Sequence, residues 1–213
     1  MNFKHYAGSL LSLVLLAFMM LNVDAAQAND LRWKTILGIK ESGDVVGVGT
    51  PGPGTGAISG GAPWETLSGS ARVDLNSGKV KFEVKGLILA VGSVFELGGQ
   101  DFTTPPAGFS GLPIGTPAGI TSVKGTLVCN VTGAQGSDSV WVDTPLTTLD
   151  AQGNAYFRGS FSSKIPAQCS TNPTLDDAFL IRIGSGAFEG AWIAFGAVPV
   201  LSSCHDKDQG APC

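Results

Sequence analysis

The stretch ARVDLNSGKVKFEVK, residues 71–85, decides the fold class of this chain. Apolar side chains occupy every second position on both sides of the polar segment Asn76-Ser77-Gly78. This alternation is typical of β-strands with one buried and one solvated face. Gly78 accepts the positive φ that tight hairpin turns require. The stretch therefore predicts an antiparallel hairpin.

The register of this hairpin follows from its charges, because residues directly opposite each other share a face of the sheet. The register that we predict forms two pairs of opposite charge beside one apolar pair, and a slip by one residue would lose both charge pairs. The predicted pairs are Val73–Phe82, Asp74–Lys81 and Arg72–Glu83.

Eight further segments have the composition of strands, with Gly, Pro, Asn, Asp and Ser clusters between them. These segments are 31–40, 45–48, 87–91, 122–130, 139–142, 154–161, 178–183 and 191–201. The consecutive apolar residues in 178–181 and 192–195 place those two strands in the central core. The sequence predicts an all-β chain, either an antiparallel β-sandwich or a partly closed β-barrel, in a single domain. The Gly- and Pro-rich segments 49–63 and 103–119 are predicted to be long surface loops.

The N-terminus has the three-part layout of a secretory signal peptide. Lys4 precedes an apolar run from Leu10 to Leu21, and Ala26-Gln27-Ala28 provides a cleavage site, with a site after Ala25 as the alternative. The run would rise roughly 18 Å as a helix, too short for a hydrocarbon core of about 30 Å. We therefore expect residues 1–28 to be a signal peptide and 29–213 to be a secreted β-domain, extracellular or periplasmic, with no membrane span after signal removal.

The charge balance argues against nucleic acid as a partner. The net charge is −4, and charged residues make up only 14% of the chain. A phosphate-binding surface needs a basic excess or a basic stripe. The sequence shows one small cluster, Lys79, Lys81 and Lys85, which Glu83 interrupts.

The four cysteines predict two disulfides, because an exported chain with an even number of cysteines favours disulfide pairing. Three pairings are possible, and we favour Cys129 with Cys169 and Cys204 with Cys213, which would close the C-terminal tail. Metal binding is the competing interpretation, but no pair has the ligand spacing of a zinc site.

No motif in the sequence identifies a catalytic residue, a metal site or a cofactor. His205 lies in the tail between two cysteines, where a solvated role is favoured over a triad. The segment 206–210 resembles the start of a calcium loop but lacks its later ligands. Asp176 and Asp177 are adjacent carboxylates, as in a glycoside-hydrolysing pair, but neighbours on a strand point in opposite directions.

Two residues remain as candidates for contact with a ligand or a modification. Trp64 follows a Gly-rich loop and Ala62-Pro63, so the sequence predicts an exposed indole that could stack on a sugar. The other tryptophans are assigned to the core. Asn130-Val131-Thr132 matches the pattern for N-glycosylation, which applies if the host is eukaryotic.

The leading functional hypothesis is an exported, non-enzymatic β-domain with a binding or structural role in the cell envelope or extracellular space. The first alternative is a carbohydrate-binding module that uses exposed aromatic residues. The second is an extracellular hydrolase with carboxylates from separate strands. The expected partners are a carbohydrate or another extracellular protein, with no cofactor.

Overall fold

The structure is a computed structural model that describes residues 30–90, 113–171, 176–186, 188–196 and 199–201. These residues form fifteen strands and one short helix, α1 (Ala167–Thr171), and every pair of named strands is antiparallel. The strands are β1 (Asp30–Trp33), β2 (Ile36–Gly38), β3 (Val45–Val46), β4 (Ile58–Ser59), β5 (Trp64–Glu65), β6 (Ser68–Asp74), β7 (Lys79–Lys85), β8 (Ile88–Leu89), β9 (Ser122–Cys129), β10 (Val140–Asp143), β11 (Thr147–Thr148), β12 (Ala155–Ser160), β13 (Ala178–Ile183), β14 (Trp192–Gly196) and β15 (Pro199–Leu201).

Two large sheets form a sandwich. One has the strand order β12-β7-β6-β1-β15, and the other has the order β10-β9-β13-β14-β2, with β11 added beside β9. Their inner faces meet at aromatic residues: the ring of Phe179 lies 5.5 Å from that of Trp33 and 5.7 Å from that of Phe82. No sheet of the described residues closes into a barrel. The predicted all-β class is confirmed, and the sandwich is the form that it takes.

The central strands are those that the sequence identified by their continuous apolar runs. β13 lies between β9 and β14 in the six-stranded sheet, and five of its six residues are buried. Four of the five residues of β14 are also buried. These strands are covered on both faces, which explains why their apolar residues do not alternate with polar ones.

The predicted strands 31–40 and 191–201 are each divided, because the chain passes from one sheet to the other within them. β1 pairs with β15 in the five-stranded sheet, and β2 pairs with β14 in the six-stranded sheet. A Cβ on Gly196 would lie 2.5 Å from the Trp33 ring. Glycine thus permits the close approach of the two chain segments where they cross.

The predicted hairpin forms, but its predicted register was wrong by two residues. Phe82 lies opposite Ala71, Lys81 opposite Arg72, and Lys79 opposite Asp74. The turn sets this register: Asp74 accepts hydrogen bonds from two turn amides, and Gly78, at φ 68°, donates its N–H to the carbonyl of Asp74 at 2.9 Å. A shift of two keeps the apolar face intact, so burial cannot correct it and turn geometry decides.

Residues 39–61 fold back over the outer face of the six-stranded sheet instead of extending into solvent. The indole N–H of Trp192 donates to the carbonyl of Asp44 at 3.2 Å, and the amide of Trp141 donates to the carbonyl of Gly54 at 2.9 Å. The predicted surface loop 49–63 is therefore fastened to the sheet. Most of the other predicted loop, 103–119, lies outside the described residues.

Candidate functional site

The outer face of the six-stranded sheet carries a cluster of polar side chains around one indole. Trp141 and Asp143 come from β10, Lys124 and Thr126 from β9, and Arg182 from β13. Register places Arg182 beside Lys124 and Asp143 beside Thr126. Side chains alternate along a strand, so Arg182 points away from the core that Phe179 enters.

Asp143 is the anion that organises this cluster. Its carboxylate accepts a hydrogen bond from Thr126 Oγ1 at 2.6 Å and forms ion pairs with Lys124 Nζ at 2.8 Å and Arg182 Nη1 at 3.1 Å. All three charged side chains are largely buried. Charges in such a setting interact more strongly than exposed pairs do, which fixes the positions of both cations.

Arg182 is held on three sides. Its Nε donates to the carbonyl of Gly190 at 2.7 Å, Nη1 meets Asp143, and the guanidinium carbon lies 4.6 Å from the centre of the Trp141 ring. Burial lowers the pKa of Arg182, and the neighbouring Asp143 opposes that change. The guanidinium stays charged. Its second terminal nitrogen, Nη2, takes part in neither the hydrogen bond to Gly190 nor the ion pair with Asp143.

Trp141 presents a half-buried indole with an unused donor. Among the described residues, none accepts a hydrogen bond from its buried Nε1–H. A buried N–H without an acceptor costs about 1–3 kcal/mol, and the indole N–H groups of Trp33 and Trp64 in the core are in the same state. What Trp141 offers a ligand is the exposed part of its aromatic surface.

Two loop segments build walls above this floor and enclose a groove of about 470 Å³. This volume falls in the range of small-molecule sites, roughly 300–1,000 Å³. Residues 51–59 of the loop that is hydrogen-bonded to the sheet form one wall. The turn 188–191 before β14 forms the other wall. The lining residues besides Trp141 and Arg182 are Pro51, Gly52, Ala57, Ile58, Ser59, Phe188, Glu189, Gly190 and Ala191.

The groove presents groups that can bind a polar ligand. Among the residues that line the groove, Glu189 is the carboxylate, and its side chain is exposed. The nearby Asp143 is already paired with Lys124 and Arg182. Within the described ranges, no three residues among His, Cys, Asp and Glu gather as a metal site would require. What the groove offers is an aromatic ring, a fixed cation and several hydrogen-bonding groups.

The predicted exposure of Trp64 was wrong, because this side chain is 1% exposed. Trp64 lies on β5, which pairs with β8, and its amide donates to the carbonyl of Ile39 at 2.8 Å. The Gly-rich segment before it turns back onto the sheet and draws Trp64 into the core. A sugar contact by Trp64 therefore loses its basis.

The amide of Asn130 is used inside the fold. Asn130 is fully buried, its φ is 59°, and its Nδ2 donates to the carbonyl of Ser137 at 2.7 Å. Its Oδ1 accepts from the amide of Gln135, which closes the loop after β9. In the folded domain this nitrogen is not presented to a glycosylating enzyme, in contrast to the glycosylation site that the sequence motif predicts.

The disulfide between Cys129 and Cys169 is confirmed, and it ties the end of β9 to α1. The predicted partners Cys204 and Cys213 lie outside the described residues. So do His205, the calcium-like segment 206–210 and the signal peptide 1–28.

Asp176 and Asp177 do not line the groove. Asp176 Oδ1 accepts from the amide of Thr132 at 2.8 Å, whereas Asp177 is 3% exposed. Burial raises the pKa of Asp177 to about 7, the backbone N–H of Asn130 opposes this rise, and the charge of Asp176 adds to it. The two residues act at the start of β13 as parts of the fold.

Sequence reasoning missed the two central residues of the groove. Trp141 was assigned to the core with the other tryptophans. The sequence does contain one sign of this site: Arg182 is a single cation within the apolar strand 178–183. A charge in such a strand needs a buried partner. The position of that partner on β10 depends on strand order, which the sequence does not reveal.

No helix in the described part of the chain is long and apolar enough to cross a membrane. Comparison of the chain with protein-family models, with curated proteins and with solved structures finds no match.

Proposed function

We propose that this chain is an exported, non-enzymatic binding domain that takes a carbohydrate in the groove over Trp141. The observation that carries the proposal is the half-buried indole on the groove floor, held beside the fixed guanidinium of Arg182 at 4.6 Å from the ring centre. Small-molecule sites combine an apolar and aromatic lining with a few placed polar groups, as this groove does.

A sugar ring matches the chemistry of the groove. Its C–H face packs on an aromatic surface, and its hydroxyl groups both donate and accept hydrogen bonds. The guanidinium of Arg182 supplies donors, and the exposed Glu189 supplies an acceptor. The groove thus has an aromatic surface for the C–H face of the sugar, and it has a donor and an acceptor for the hydroxyl groups.

The site is also ordered before the ligand arrives. One wall is hydrogen-bonded to β10 through Gly54 and Trp141, and the other holds Arg182 through the carbonyl of Gly190. A preformed site reduces the free energy spent on ordering side chains during binding. This supports a role in recognition.

Export is supported by the disulfide between Cys129 and Cys169. Disulfides persist in oxidising compartments and are rare in the cytosol. The predicted signal peptide agrees with this location, and polysaccharides are abundant outside the cell. The compartment and the ligand class are therefore compatible.

The experiment is an array of uncharged glycans, which the cationic face of the other sheet does not attract, probed with the mature protein and two Trp141 variants. Trp141→Ala should abolish binding, whereas Trp141→Phe, which keeps an aromatic face of smaller area, should retain weaker binding. Tyr156→Ala is the matched control, because Tyr156 is an exposed aromatic residue on the other sheet. Binding that survives in Trp141→Ala, or no binding by the mature protein, contradicts the proposal.

A further inference from the structure

The outer face of the five-stranded sheet carries a row of four cations. Arg158 on β12 lies opposite Lys81 on β7, Lys81 lies opposite Arg72 on β6, and Arg72 lies opposite Arg32 on β1. Neighbouring strands are about 4.8 Å apart, so the row extends roughly 14 Å across the sheet. The sequence could not show it, because each cation comes from a different strand.

The surrounding face has an excess of positive charge, although the whole chain has a net charge of −4. Six cations share it with three carboxylates, and most of their side chains are exposed. They are Arg32, Arg72, Lys79, Lys81, Lys85 and Arg158, beside Asp30, Asp74 and Glu83. The protein is therefore strongly asymmetric in charge.

The two ends of the row differ in their partners. Asp30 forms ion pairs with both Arg32 at 2.9 Å and Arg72 at 2.7 Å. At the other end, no carboxylate of the described residues lies within ion-pair distance of Lys81 or Arg158. Lys81 Nζ instead lies 5.7 Å from the centre of the Tyr156 ring. This end is where an external anion would be attracted most strongly.

The row is unfavourable for folding alone. Like charges placed directly opposite each other destabilise a sheet. Arg158–Lys81 and Lys81–Arg72 are two such pairs, whereas Asp30 bridges the third, Arg72–Arg32. A bound anion would relieve this repulsion. Tyr156 is 51% exposed beside Lys81 and adds an aromatic face next to the charges.

We propose that this row binds a linear, carboxylated polysaccharide that crosses the strands. One sugar unit is about as long as one strand spacing, so a few units span the row; their carboxylates would pair with Lys81 and Arg158, while Tyr156 packs on a sugar ring. The stripe is only one residue wide, and the carboxylates Glu83 and Asp74 flank it on either side. A single narrow polymer fits this arrangement better than a broad membrane surface.

A single-stranded nucleic acid fits the face less well. Such ligands are bound by a basic groove together with several aromatic residues on which successive bases stack. The face offers the one exposed ring of Tyr156. The surface is also separate from the groove over Trp141, so the two proposals stand or fall independently.

The test measures binding of the mature protein to polygalacturonate and to its methyl-esterified form, which has the same backbone without the charges. We expect binding to polygalacturonate that weakens steeply with added salt, and little binding to the ester. Trp141→Ala should bind polygalacturonate as well as the wild type, which separates this result from that of the groove.

The decisive comparison keeps the net charge equal. The double variant Lys81→Gln, Arg158→Gln removes two cations of the row, and Lys34→Gln, Lys164→Gln removes two exposed cations outside it. The row variant should weaken binding about tenfold at low salt and reduce the salt slope by about two, while the control changes little. Tyr156→Ala should also weaken binding.

Several results would overturn the proposal. They are equal binding to the ester, an equal loss in the control variant, and no binding to polygalacturonate. Tighter binding to inorganic polyphosphate, to an oligothymidylate or to phosphatidylglycerol vesicles would overturn the assignment to a polysaccharide.

Discussion

Removal of the disulfide between Cys129 and Cys169 should lower the free energy of unfolding by an amount that depends on the number of residues between the two cysteines. The two cysteines are separated by 40 positions. Closing a loop of that length in the unfolded chain stabilises the fold by about 4 kcal/mol in the chain-entropy treatment. Both cysteines are fully buried, so alanine is the right replacement, because a buried serine would add an unpaired hydroxyl.

The assay is equilibrium unfolding in guanidinium chloride of the wild type and the Cys129→Ala, Cys169→Ala variant, without reductant. We expect the free energy of unfolding to fall by about 4 kcal/mol. The midpoint of thermal unfolding should fall by roughly 8–16 °C. The denaturant slope m should rise, because the unfolded chain expands when the crosslink is absent. A Cys204→Ala, Cys213→Ala variant, which keeps the crosslink, should lose less stability. A loss below about 1 kcal/mol with an unchanged m would refute the reasoning.

Three further substitutions test the core, the cluster and the buried carboxyl group. Gly125→Ala should lower the free energy of unfolding by about 1–3 kcal/mol. The added Cβ would lie 2.5 Å from Phe179 Cζ and 2.9 Å from Phe82 Cδ1 in the closed core. If stability in denaturant is unchanged, both rings move aside without cost and this account of the core is wrong. Arg182→Lys keeps the charge but loses the bond to Gly190 and the contact with Trp141, so we expect a loss of about 1–2 kcal/mol by thermal unfolding, and an undiminished midpoint contradicts this account of the cluster. The pKa of Asp177 in the fold is about 7, above its value of about 4 in the unfolded chain, so the native state retains a proton that the unfolded state releases, and stability should fall as the pH rises from about 4 to 7. Asp177→Asn should flatten that fall when unfolding is measured across the same pH range, with the two proteins most alike near pH 4; an identical pH profile would count against the assignment.

The elements that depend on local pattern were predictable from the sequence. Alternation located β6 and β7, and continuous apolar runs located β13 and β14 at the centre of a sheet. The register of the β6–β7 hairpin was not predictable from charge pairs, because exposed pairs contribute little and the turn around Asp74 and Gly78 contributes more.

The elements that depend on strand order were not predictable. The segment before Trp64 is rich in glycine, which predicts an exposed loop. It packs on the sheet instead, and Trp64 lies in the core. The groove unites Trp141 and Arg182 only because β9 lies between β10 and β13. The cationic row likewise needs four strands in one order, which no local pattern encodes.

The crossing of the chain between the two sheets has a consequence for synthesis. Of the described strands, β1 and β2 are synthesised first, yet their partners β15 and β14 are synthesised after all the others. Until then, one side of each early strand lacks its neighbour, and the buried residues Leu31, Trp33 and Ile36 lack their cover. Contacts between positions so distant in sequence form slowly. Completion of both sheets must therefore await the synthesis of β14 and β15, so we expect the nascent protein to depend on protection from aggregation until these two strands are available.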